Sequence, residues 1–106
     1  MAASARPRPL SLSAKEWLIL ELLIDHDKDM YGLELVAASR RRLKRGTVYV
    51  TLGRMEEKGY ISSRVEPPPA EVGGLPRRIY QPTALGRRVL SAWSSAARAM
   101  APEAAR

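Results

Sequence analysis

Arg45-Gly46-Thr47-Val48-Tyr49-Val50-Thr51-Leu52-Gly53-Arg54-Met55-Glu56-Glu57-Lys58-Gly59-Tyr60-Ile61 reads as one helix with a glycine at each end. Val48, Leu52 and Met55 recur at i, i+4 and i+7 and form a narrow apolar stripe. Gly59 stands just past the last helical residue, where a left-handed cap favours glycine. The other face carries Thr47, Val50, Thr51, Gly53 and Arg54: small groups, a β-branched methyl surface and one long donor. Arg40, Arg41, Arg42, Lys44, Arg45 and Arg54 flank or enter this helix. A short helix with a small-residue face and cationic flanks fits the DNA major groove.

Working upstream, Arg40 to Arg45 is basic at every position except Leu43, which is expected to plug the loop into the core. Cations at a helix start oppose the macrodipole, so a sequence tuned for stability alone would avoid them. Cations beside free N–H groups are, however, a good phosphate site. The plain alternative is that Thr47 caps the helix and the basic loop is merely solvated. Before it, the pattern predicts a helix over Met30–Ser39, with Tyr31, Leu35 and Ala38 on its buried face and Asp29 near its N-cap. Gly32 lowers helix propensity by about 1 kcal/mol against alanine, and the expected reason is a close helix–helix approach. A first helix runs from Ser13 to about Ile24. Ser13 and Glu16 have capping-box spacing, and Leu12 can staple onto Trp17. It is apolar nearly all round, as expected of a helix held between its own core and a partner subunit. Residues 1–12, with Arg6 and Arg8 among prolines, read as a flexible basic arm.

Downstream, Ile61, Ser63 and Val65 alternate with polar residues as a half-buried strand does. Pro67-Pro68-Pro69 ends it. Gly73-Gly74 make the turn, and Arg77-Arg78-Ile79-Tyr80-Gln81 return as a second strand, giving a two-stranded β wing. Thr83 is the expected N-cap of a final helix limited by Pro102 to about Ala101. Val89, Trp93, Ala96, Ala97 and Met100 fall on one stripe of it, beyond what a small domain needs for its own core.

The whole chain has 106 residues and a formal charge of +7, enough for one domain with a limited core. Residues 1–39 carry four Lys/Arg against six Asp/Glu, and residues 40–106 carry fourteen against five. That asymmetry points to a polyanionic partner for the second part. Absence of cysteine removes disulfides, thiolate metal sites and cysteine nucleophiles. Asp25, Asp27 and Asp29 around His26 lack the glycine turn and terminal glutamate of a calcium loop. No phosphate-loop, HExxH or Ser-His-Asp pattern is present, so neither an enzyme nor a cofactor is expected. The longest apolar run is far short of the roughly 20 residues of a membrane span, so no membrane partner is expected, and the lack of cysteine fits the cytoplasmic location expected.

Gly46-Thr47-Val48-Tyr49, Leu52, Arg54-Met55-Glu56, Lys58-Gly59 and Ile61 together resemble the recognition-helix motif of the PadR family of winged-helix transcriptional regulators. Tyr31-Gly32-Leu33-Glu34-Leu35 resembles that family's second helix. Gly73-Gly74, Arg77-Arg78-Ile79-Tyr80 and Pro82 to Gly86 resemble its wing and last helix. The likeness spans roughly Ala14 to Trp93. Lys44 departs from it, standing where a capping serine is common. The resemblance implies a mainly α winged helix-turn-helix over 13–82, with a dimerisation helix and tail over 83–106. It further implies a DNA-binding regulator, in the form of a homodimeric repressor. Arg40, Arg41, Arg42, Lys44, Arg45, Arg77 and Arg78 are then phosphate clamps. Thr47, Tyr49, Val50, Thr51 and Arg54 face the groove. For Tyr49 the resemblance implies a phosphate or base contact, while its helical position fits equally a half-buried site against the wing. Leu18, Leu22, Val89, Trp93, Ala97 and Met100 are dimer-interface candidates. Trp93 is either dimer core or the wall of a pocket for a small aromatic effector. The rival reading is a winged helix that binds an acidic protein partner.

Overall fold

A computed structural model of the chain describes residues 11–71 and 73–100. The basic arm expected over 1–12 therefore lies outside the described residues except for Ser11 and Leu12, as does the helix end set by Pro102. The order is α1 (Ala14–His26), β1 (Met30–Tyr31), α2 (Gly32–Ala38), α3 (Val48–Lys58), β2 (Ile61–Glu66), β3 (Arg77–Pro82) and α4 (Ala84–Met100).

α1 begins as its capping box predicts. Glu16 N–H donates to Ser13 Oγ at 3.2 Å and Ser13 N–H donates to Glu16 Oε1 at 2.8 Å. The helix continues two residues past the expected end, because Asp27 adopts a left-handed cap and His26 Nδ1 bonds Leu22 O at 2.9 Å. Its Leu18, Ile19, Leu20, Leu22 and Leu23 are all buried within this one chain. With Leu35, Leu43, Val48, Leu52, Met55, Tyr60 and Val89 they form a single core.

The sheet differs from the expected two-stranded wing. It has three antiparallel strands in the order β1-β3-β2. β2 and β3 pair over their whole length, Ile61 opposite Pro82 through Glu66 opposite Arg77. β1 adds Met30 opposite Tyr80 and Tyr31 opposite Ile79. The segment from Met30 thus starts as a strand, and α2 begins only at Gly32. Glu34 Oε1 accepts from Tyr31 N–H at 3.0 Å across that helix start. Asp29, expected near the N-cap, instead accepts from Arg64 Nη1 at 2.6 Å.

α3 ends as a glycine-capped helix should. Gly59 has φ 81°, and Tyr60 N–H reaches back to Met55 O at 3.0 Å. The first turn of α4 is clasped to this exit. Thr83 Oγ1 accepts from Gly86 N–H at 3.0 Å, the expected cap, and donates to Gly59 O at 2.6 Å. A buried carboxylate ties the same end of α3 to α1. Glu16 is fully buried, and Lys58 Nζ donates to both its oxygens at 2.9 and 3.0 Å. Lys58 Nζ also reaches Ser11 Oγ, and Tyr60 Oη donates to Ser11 O at 2.7 Å. Burial alone pushes the Glu16 carboxyl up, but the Ser13 N–H and the Lys58 ammonium outweigh it and hold it below its ordinary value.

Candidate nucleic-acid interface

With one face of α3 anchored on α1, the other is set by its helical phase. Val48, Leu52 and Met55 are buried as expected, and Tyr49, Val50, Gly53 and Arg54 stand exposed. Thr47 is exposed too, at the N-cap position, but its side chain makes no cap bond. Thr51 is a correction. It is buried, and its hydroxyl donates to Thr47 O at 3.4 Å, so it stands off the exposed face of α3. The physical reason is spacing: 48, 51, 52 and 55 complete the i, i+3, i+4, i+7 template of a core-facing stripe.

Tyr49 is half exposed, and its ring packs against the start of α2. A Cβ built on Gly32 would lie 2.5 Å from Tyr49 Cε1 and 2.6 Å from its Oη. The tyrosine ring of α3 therefore sits in the notch that the missing side chain of Gly32 leaves at the start of α2. This is the close approach expected of Gly32, made by a side chain of the next helix.

The basic loop is pinned to the core by a buried serine. Ser39, fully buried, donates its hydroxyl to Val36 O at 2.7 Å and accepts from Leu43 N–H at 2.9 Å. Leu43 is buried as expected. This pin holds Arg40 and Arg41 at φ 54° and 72°, a left-handed conformation that costs a non-glycine residue about 1–2 kcal/mol. The consequence is that Arg40, Arg41, Arg42, Lys44 and Arg45 all stand exposed. Among the described residues no carboxylate pairs with any of them, nor with Arg54. Thr47 N–H and Val48 N–H both donate to Lys44 O, so the cations lead directly into the first turn of α3.

The sheet sorts its arginines by face. In the β2–β3 register Arg78 lies opposite Val65 and Tyr80 opposite Ser63, so these four share one face. Arg64 and Arg77 belong to the other. Arg64 bonds Asp29, Glu66 and Gln81, and the two carboxylates raise its pKa. The Arg77 guanidinium carbon lies 4.6 Å from the centroid of the Tyr31 ring, and its buried Nε has no partner. Arg77 is thus a stacked residue and not the free clamp expected. Arg78 is exposed and donates Nη1 to Ser63 Oγ at 3.0 Å. Ser63 in turn donates to Glu56 Oε2 of α3 at 2.6 Å. That link escaped the sequence reading, since no local pattern joins positions 56, 63 and 78. On the same face burial raises the Tyr80 phenol above its ordinary value, and Glu56 and Tyr49 add to the effect.

The expected dimer surface divides in two. Leu18, Leu22 and Val89 are already covered within the chain, because the first half of α4 packs on α1. Those three are corrected to core residues. Trp93 is 40% and Met100 83% exposed, and Ala97 is exposed beside them. Ala92, Trp93 and Ala96 line an open apolar hollow of about 230 Å³. No described helix is long and apolar enough to cross a membrane.

Comparison with known proteins agrees with this geometry. The profile of the transcriptional regulator PadR-like family matches residues 19–92. Among solved structures, a PadR family transcription regulator from hypervirulent Clostridium difficile is 34% identical, with a TM-score of 0.66 over 77% of this chain and 84% of that one. A PadR-like transcription factor from Bacteroides fragilis shares the fold at 22% identity, with a TM-score of 0.68 over 81% and 82% of the two chains. A PadR family regulator from Eggerthella lenta does so at 24%, with a TM-score of 0.64 over 81% and 76%. A search of curated proteins finds no match. The chain belongs to the PadR-like family of transcriptional regulators.

Proposed function

We propose that the chain is a sequence-specific DNA-binding repressor that acts as a homodimer, with α3 in the major groove. The observation that carries this reading is the outer surface of α3. Tyr49, Val50, Gly53 and Arg54 are exposed there, and Val50 is 62% exposed between unpaired cations. In a major groove Val50 meets thymine methyl groups, and Arg54 presents a fork to the guanine edge. Arg40, Arg41, Arg42, Lys44 and Arg45 take the phosphates on the entry side, and Arg78 takes them on the wing side.

The exposed half of α4 supports self-association through Trp93, Ala97 and Met100. The hollow beside Trp93 is smaller than the roughly 300–1,000 Å³ of a typical ligand site. A second copy laid across it would enclose it, and a small planar aromatic effector is the ligand such a closed apolar site would take. A dimer bound across a control site excludes other proteins from it, which is repression by occupancy in the cytoplasm.

Selection of bound duplexes from a random pool tests the reading. The expected product is one preferred site with two-fold symmetry, its half-sites about one helical turn or a multiple apart. Binding should fall steeply with salt. A pool that returns no enriched sequence, with no salt-dependent binding to any duplex, would overturn it in favour of a protein-binding module.

A further inference from the structure

We infer that Ser63, polarised by Glu56, is the positioning residue that aims Arg78 at a DNA phosphate and so couples the wing to the reading helix. The inference rests on the DNA-binding reading above. Three arginines lie on the β2–β3 pair, and the structure disposes of two of them. Arg64 is held and its charge countered by the Asp29 and Glu66 carboxylates, with Gln81 beside them, and Arg77 is stacked on Tyr31, both on the sheet face away from Ser63 and Tyr80. Arg78 is on the Ser63 face, the one that bonds α3.

The chemistry of the relay is specific. The Glu56 carboxylate accepts the only proton Ser63 can give, at 2.6 Å. The serine oxygen is then left with lone pairs alone, and Arg78 Nη1 donates to it at 3.0 Å. One of the five guanidinium N–H groups is spent on this bond and the rest are available to a phosphate. A direct Glu56–Arg78 ion pair would instead neutralise the cation where it is needed. The serine keeps the two charges apart while transmitting the position of α3 to the wing. A long side chain held this way loses less rotamer freedom on binding, which favours affinity.

The test is a double-mutant cycle on DNA affinity, using the full chain and its selected duplex. Ser63→Ala should weaken binding roughly threefold to tenfold, the range of one hydrogen bond. Ser63→Thr, which keeps the hydroxyl, should restore it. In an Arg78→Ala background Ser63→Ala should cost nothing further, and the salt slope of that background should already be lower by about one. Thermal unfolding of each variant separates binding from folding. If wild type binds in a salt-dependent way but the Ser63→Ala loss persists undiminished without Arg78, the relay is wrong and the DNA reading stands. If Ser63→Ala binds as wild type does, the relay is likewise wrong. If wild type binds no duplex, both fall together.

Discussion

Tyr49 ties α3 to the start of α2 through a single ring packed over Gly32. Its helical phase put it outside the apolar stripe, and it is indeed half exposed. Its ring, however, is lodged over Gly32, a residue seventeen positions earlier, and only the fold brings the two together. Thr51 failed in the opposite sense: its polarity hid a core phase that spacing alone would have assigned. Arg77 failed because cation stacking on Tyr31 depends on β1, a two-residue strand too short for any periodicity to reveal. A prediction follows for the notch. In Gly32→Ala the new methyl meets the far end of the Tyr49 side chain, which can swing into solvent. The substitution should therefore destabilise only modestly, and the cost should vanish when Tyr49 is also alanine. Urea unfolding of the two single variants and the double should give a coupling energy of about 1 kcal/mol. Strictly additive energies would mean the ring does not fill the notch.

At the scale of elements, legibility followed length and capping chemistry. α1 and α3 were legible because each pairs a long apolar stripe with a strong end signal, the Ser13–Glu16 box and Gly59. α2 was expected over ten positions and occupies seven, because pairing with β3 claims Met30 and Tyr31 as strand and Ser39 is the C-cap. The Glu16–Lys58 pair was not legible at all, since its partners are 42 residues apart. It is also where acid sensitivity should appear. Glu16 has its folded-state pKa lowered, so the stability it contributes is present above its unfolded value and is lost as pH falls through the folded one. Lys58→Met removes the counter-charge and leaves a carboxylate buried, which should cost about 3 kcal/mol near neutral pH. Without that cation, burial raises the Glu16 pKa, so protonation in acid relieves the penalty. The gap in unfolding free energy between wild type and Lys58→Met should accordingly shrink as pH drops from about 7 to about 4. A gap that stays constant over that range would show that Lys58 acts by packing alone.

At the scale of the whole molecule, the charge asymmetry of the sequence becomes a surface. The exposed basic residues from Arg40 to Arg45 lead into α3, Arg54 stands exposed on it, Arg78 is joined to it through Ser63 and Glu56, and the second half of α4 projects an apolar strip. The sequence could not say where core ends and strip begins, because Val89 and Trp93 lie on one helical phase and differ only in whether α1 reaches them. If the strip is the dimer contact, Trp93→Ala with Met100→Asp should shift sedimentation towards monomer. It should also weaken DNA binding by roughly tenfold or more, since two linked reading helices become one. A wild-type protein that sediments as a monomer at working concentration would end that proposal. The central claim is that the outer face of α3 reads bases while the loop before it grips phosphates. Arg54 is the long donor on that face, and Lys44 and Arg45 stand at its entrance. The most direct test titrates Arg54→Ala, Lys44→Ala and Arg45→Ala against the selected duplex and a scrambled one at several salt concentrations. Arg54→Ala should lose about 1–3 kcal/mol on the selected duplex alone and relax preference at one base pair. Lys44→Ala and Arg45→Ala should weaken both duplexes alike, each lowering the salt slope by about one. Equal loss on both duplexes for Arg54→Ala, with preference intact, would contradict the account.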